Sequence, residues 1–180
     1  MRYVALLRAV NVGGRIVKMD RLRAMFEQLP AKNVETFIAS GNVLFDSAAS
    51  ASALELRIEK HLEQSLGYAV PAMLRSAAEI KAVAAHTPFP SLSSVPTEGG
   101  LYVGFLKSPL EKTAAARVLA LAGAISEFHV NGREVYWLAR DRMAVLKGTG
   151  TKLERAVAMP MTVRNVTTVR KLAEKILLNP

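Results

Sequence analysis

The stretch "FHVNGREVYWL", Phe128 to Leu138, decides the fold. Its two β-rich runs flank Asn131 and Gly132, and Asn-Gly is the strongest short hairpin signal because both central residues of a type I′ turn need positive φ. A second hairpin is written in "ETFIASGNVLFDS", Glu35 to Ser47, whose runs 34–40 and 43–46 meet around Ser40, Gly41 and Asn42. Each hairpin marks the middle of a larger unit, and the flanking segments say which.

Working outward, further β-rich runs lie at 2–8, 70–75, 101–106, 126–130, 133–138 and 160–164. Between them, Met19, Leu22, Phe26 and Leu29 share one helical face, as do Val169, Leu172, Ala173, Ile176 and Leu177 near 166–178. Asn165 or a nearby threonine is the expected cap of that last helix. "SALE" (Ser52 to Glu55) and "SAAE" (Ser76 to Glu79) place a serine three residues before a glutamate, which predicts capped helices at 52–66 and 77–86. "SPLE" (Ser108 to Glu111) adds Pro109 at the first helical position and predicts a helix over 109–122.

In order, residues 1–88 run β-α-β-β-α-β with a trailing helix, and residues 100–178 repeat the series. That string is the split βαβ pattern, in which two helices cover one face of a four-stranded antiparallel sheet. The predicted fold is therefore α+β: two tandem ferredoxin-like lobes, 1–88 and 100–180, joined by a linker at 89–99 inside the proline- and glycine-bearing "HTPFPSLSSVPTEGG".

Composition narrows the function classes. Half the residues are hydrophobic and 22% are charged, as in an ordinary globular protein, and there is no cysteine for disulfide or thiolate chemistry. No run of about 18 apolar residues indicates a membrane span, and "MRYVALLRAV" lacks the apolar length of a signal peptide. The expected address is the cytoplasm. The net charge of +9 is uneven: residues 1–23 carry six Lys/Arg against one acid, and residues 140–175 nine against three. A basic patch is the usual footprint of a phosphate-bearing partner, although a solvated surface gives the same count.

The chemistry on offer sits in two loops. "LLRAVNVGGR" (Leu6 to Arg15) ends strand 1 in an arginine, an asparagine and two glycines. In a split βαβ unit this loop and the hairpin joining strands 2 and 3 open at the same end of the sheet. Arg8, Asn11, Gly13 and Gly14 should thus converge with Ser40, Gly41 and Asn42, and Lys18 is a further candidate ligand-binding residue. Backbone N–H groups in such a loop can cradle an anion, and no Ser, Thr, Asn or Asp immediately precedes Met19 to cap the next helix. A plain turn, with Asp20 in the first helical turn, is the competing reading. The second loop, "LKGTGTKLERAVA" (Leu146 to Ala158), has two lysines but not the spacing of a nucleotidase P-loop. Lys147, Lys152, Arg164 and Asn165, with Arg142 nearby, are expected to share one basic end.

Catalytic constellations are otherwise poor. His61, His86 and His129 have no second ligand at helical or hairpin spacing, so no metal site is expected. No cofactor motif is present either, nor a Gly-x-Ser-x-Gly elbow, and Ser40 has no histidine placed by sequence to activate it. "LYVGFL" (Leu101 to Leu106) resembles the first-strand motif of RNA-recognition modules, but "NVLFDS" and "REVYWL" lack the aromatic pattern that stacks bases. Tyr136 and Trp137, being adjacent, point to opposite sheet faces.

"YVALLRAVNVGGRIVKMDRLRAMFEQL", "VETFIASGNVLFDS", "TKLERA" and "TVRNVTTVRKL" together resemble the bacterial domain of unknown function 1697. Arg8, Asn11, Gly13, Gly14, Lys18, Ser40, Gly41, Asn42, Lys152, Leu153, Arg164, Asn165, Thr168 and Lys171 match its motifs. The resemblance implies a duplicated ferredoxin-like fold and no assigned activity. The functional expectation is a binding protein whose basic loops engage a phosphate-bearing ligand, nucleic acid or nucleotide-like. The alternative is an enzyme acting on a small anionic substrate near the Asn-Val-Gly-Gly loop.

Overall fold

The computed structural model describes residues 1–11, 13–90, 92, 98–146 and 148–178. The chain divides into two compact units, Met1–Ala82 with Leu172–Pro180, and Val83–Lys171. Each contains one four-stranded antiparallel sheet, which bears out the α+β, ferredoxin-like expectation.

In the first unit β1 (Arg2–Leu7), β2 (Lys32–Phe37), β3 (Asn42–Asp46) and β4 (Ala72–Ser76) lie in the order β2-β3-β1-β4. Tyr3, Ala5 and Leu7 alternate onto one face and meet Val43, Phe45, Ala72 and Leu74 there. Over this face pack α1 (Met19–Glu27), through Leu22, Met25 and Phe26, and α2 (Ala51–Leu66), through Leu54, Ile58 and Leu62. Fully burying a side chain of Phe26's size is worth about 1.5–3 kcal/mol, so the apolar stripe of α1 does more to place that helix than its propensity does. At the edge, Arg2 donates to Glu35 at 2.7 Å and to Asp46 at 3.3 Å. Glu35 also meets Lys175, on the part of α7 (Val166–Leu178) assigned to this unit, at 2.6 Å. The Lys175 hydrogen bond, supported by Arg2, holds the Glu35 carboxyl below the usual carboxylate range despite the opposing effect of burial.

The second unit repeats the order as β6-β7-β5-β8, with β5 (Gly100–Leu106), β6 (Ser126–Asn131), β7 (Glu134–Ala139) and β8 (Met161–Asn165). Its core joins Leu106, Phe128, Val135, Trp137, Ala139 and Met161 to Val118 of α4 (Lys112–Leu119), Ala144 of α5 (Arg142–Leu146) and Leu153, Ala156 and Val157 of α6 (Thr149–Val157). The Trp137 indole donates to the buried Ser126 hydroxyl at 3.2 Å, so its one polar atom is satisfied inside that core.

Several local expectations needed correction. The "SAAE" box forms, with Ser76 and Glu79 exchanging backbone bonds at 2.8 and 3.3 Å. It opens α3 (Ala77–Ala85). The "SALE" box does not: α2 starts at Ala51 and Ser52 is already helical. Glu55 instead accepts from Leu74 N–H at 2.9 Å, tying the helix to β4. Pro109 does not open α4, which begins at Lys112, because Leu110 is drawn down onto the lobe 2 core first. The second hairpin turns one residue later than Asn131-Gly132. Asn131 pairs with Glu134, leaving Gly132 and Arg133 at the centre, and only Gly132 has positive φ, +58°. Glycine at the first central position is the II′ requirement, not I′. Finally, α5 has its sequence signal in Asp141, whose Oδ1 accepts from Ala144 N–H at 2.9 Å as an N-cap.

Candidate functional site

Strand direction brings the two loops of lobe 1 together. Asn11 is the tie: its Oδ1 accepts from Val17 N–H at 2.7 Å, and its Nδ2 donates to the Ala39 carbonyl at 2.8 Å. One amide thus closes the β1–α1 loop and fastens it to the β2–β3 turn. The backbone reinforces the contact, with Leu7 N–H donating to Gly41 O at 2.8 Å, while Arg8 N–H donates to Pro71 O, just before β4, at 2.9 Å. Gly41 sits at φ +75°, and a Cβ there would lie 3.3 Å from Leu7 Cβ and 3.4 Å from Val10, so a side chain would both strain the backbone and crowd these neighbours.

Not every expected residue points outward. Asn42 is fully buried; its Nδ2 donates to Ser40 Oγ at 2.9 Å and to Phe37 O at 3.1 Å, which makes it a support of the turn. Ser40 is engaged with it. Gly13 and Gly14 are exposed, at φ +65° and +81°, with open space where a Cβ would be. Lys18, also exposed, is the N-cap of α1, and among the described residues no side-chain cap bond is made there. Asp20 lies in the first turn without making a cap bond.

Sequence reasoning passed over Arg15, whose guanidinium lies 4.1 Å from the centre of the Tyr68 ring, a cation–π contact between the loop and the segment after α2. It also passed over strain. Ala9 at φ +59° and Ile38 at φ +49° occupy the left-handed region, which is costly for a β-branched residue, and Ile38 is exposed. Ile38 precedes the Ala39 carbonyl that Asn11 grips, so the unfavourable backbone and the clamp are one local arrangement. No sequence signal marks it, since the β-rich run reads through to residue 40 whereas β2 ends at Phe37.

In lobe 2 the expected basic end separates. Lys152 is exposed and lines, with Thr149, Ser126, Gly123 and Ile125, a cavity of about 320 Å³ near the start of α6. Gly148, the N-cap of α6, lies in the left-handed region at φ +71° and makes no side-chain cap bond. Arg164 does not join it. Met161 and Val163 face the helix-covered core, so Arg164 points to the other side of β8, where it is buried. It donates to Thr162 Oγ1 at 2.8 Å and Val163 O at 2.9 Å, and burial pushes its guanidinium down to about 10. Asn165 Oδ1 accepts from Thr167 N–H at 2.8 Å as the predicted cap of α7. Lys147 lies outside the described residues. Among the described residues, no group of three or more His, Asp or Glu gathers as a metal site. No helix among them is long and apolar enough to cross a membrane.

Two split βαβ sheets, one carrying a clamped glycine loop, define a tandem ferredoxin-like protein. The chain belongs to the DUF1697 family of proteins of unknown function, matched over residues 1–136. The "TKLERA" and "TVRNVTTVRKL" segments lie beyond that match. The fold is similar to that of the conserved bacterial protein SP0830 from Streptococcus pneumoniae, at 22% identity and a TM-score of 0.77 over 98% of both chains. No curated protein matches the chain.

Proposed function

We propose that the chain is a cytoplasmic binding protein that takes a phosphate-bearing ligand, nucleic acid or nucleotide-like, on the β1–α1 loop of lobe 1. The observation that carries the reading is the Asn11 clamp. It holds the loop in shape while leaving the Gly13–Gly14 backbone exposed beside the uncapped start of α1. Lys18 and Arg15 supply positive charge at the same loop, and the excess of basic residues over 1–23 favours a polyanion reaching it. Lys152 and Thr149 at the lobe 2 cavity are a second, weaker place for the same chemistry.

The test is binding of single-stranded and duplex oligonucleotides, a nucleoside triphosphate and inorganic phosphate to wild type and Lys18→Ala, across a salt series. Loss of one phosphate contact should weaken oligonucleotide binding and lower the salt slope by about 0.7–0.9. Equal affinity and slope in both proteins would overturn the lobe 1 site. Saturable binding of only the small phosphates, with a shallow slope, would favour an enzyme acting on a small anionic substrate at the same loop.

A further inference from the structure

His86 and His129, far apart in sequence, meet in the second unit. His129 lies on the side of the sheet away from α4 and α6, because its β6 neighbours Phe128 and Val130 are packed under those helices. Tyr136 stands beside it in the cross-strand register, and Val103 and Arg164 continue the row. His86, the first residue after α3, places its ring 4.8 Å from Tyr136 and 5.4 Å from His129; the third pair, His129 and Tyr136, is 6.1 Å apart. His86 Nε2 is shielded from solvent and has no hydrogen-bond partner among the described residues.

We propose that His86, His129 and Tyr136 form a proton-sensitive clasp, closed while both imidazoles are neutral, that fastens the chain leaving α3 to the second sheet and loosens on acidification. Neutral aromatic rings at these separations attract. Two imidazolium ions at the same separation repel. The surrounding charges are few and identifiable. On β6 the same face carries Glu127, paired with Arg140. On β7 it carries Glu134, two residues before Tyr136, and on β8 the buried Arg164. On β5 it carries Leu101, Val103 and Phe105, and Val83–Ala85 of α3 bring no titratable group. Burial first, and His86 second, hold His129 below its ordinary value of 6.5. At His129 the folded state therefore binds fewer protons than the unfolded state below about pH 6.5, and this group's contribution to stability is present above that pH and lost as pH falls beneath it.

The experiment is a titration of the histidine ring protons by NMR in wild type, His86→Gln, His129→Gln and His86→Phe. Denaturation at pH 7.5 and 5.5 is followed alongside by the fluorescence of Trp137, the one tryptophan. His129 should titrate below the ordinary range in wild type and move upward in His86→Gln. The loss of denaturation midpoint between the two pH values should shrink in either glutamine variant, and combining them should add nothing. His86→Phe keeps a ring without a charge and covers the case in which glutamine unfolds the lobe; it should be folded and less sensitive to acid. Independent titration of the two histidines, or an unchanged acid response in the Phe variant, would overturn the proposal.

Discussion

Replacing Asn11 with alanine tests the site and its construction together. The side chain makes two hydrogen bonds, to Val17 N–H at 2.7 Å and to Ala39 O at 2.8 Å. The second is exposed, so water can replace it at little cost. The first is not so easily replaced, because Val17 is only 4% exposed and its N–H would lose its acceptor in a partly buried place. Stranding such a donor costs about 1–3 kcal/mol, and a net exposed bond adds about 0.5 kcal/mol, so the expected loss is roughly 1.5–3.5 kcal/mol by denaturant titration. If the clamp also preorganises the glycine loop, phosphate-ligand affinity should fall by about tenfold, the equivalent of 1.4 kcal/mol. Asn11→Asp separates the effects. It keeps the acceptor for Val17, turns a donor toward Ala39 into a carboxylate, and sets negative charge beside the loop. Binding should then suffer more than stability. An alanine variant with wild-type stability and affinity would refute the clamp argument.

Gly41→Ala forces a Cβ to 3.3 Å from Leu7 at φ +75°, and should cost about 1–3 kcal/mol, read as a lowered melting temperature, while the same change at solvent-facing Gly13 meets no atom and incurs only the backbone cost. For Glu35 the depressed carboxyl makes a stability contribution that is present above about pH 4.5 and lost as pH falls through its folded value. Lys175→Met should flatten that acid limb of the denaturation profile, and an unaltered limb would show that the ion pair contributes nothing.

What the sequence made legible was pattern at the scale of elements. The repeated β-α-β-β-α-β string sufficed for both sheets, and strand direction alone placed Asn11 beside the Ser40–Gly41 turn. Side-chain parity was harder. Arg164 and Lys152 do lie toward one end of lobe 2, but one residue's shift along β8 decides the face, and Arg164 occupies the side opposite α6. Asn42 and Asn11 illustrate the same limit: both were expected to face a ligand, and both spend their amides on neighbouring backbone or side chain. Proline at a helix start was overruled at Pro109 by the burial of Leu110, a tertiary contact with no local trace. The His86–His129 meeting was illegible for a related reason, since only the register of β6 on β7 places it.

The first unit is discontinuous in the chain, with its opening 82 residues completed by 172–180, whereas the second is a single uninterrupted stretch. On a ribosome that difference becomes a difference in time. The strands and two helices of lobe 1 emerge first, yet Glu35 must wait about 140 residues before Lys175 arrives, by which time every residue of the second unit has been made. The earlier-made half is thus the later-finished one: a chain arrested after Lys171 has every residue of the second unit and still lacks Lys175, the partner of Glu35.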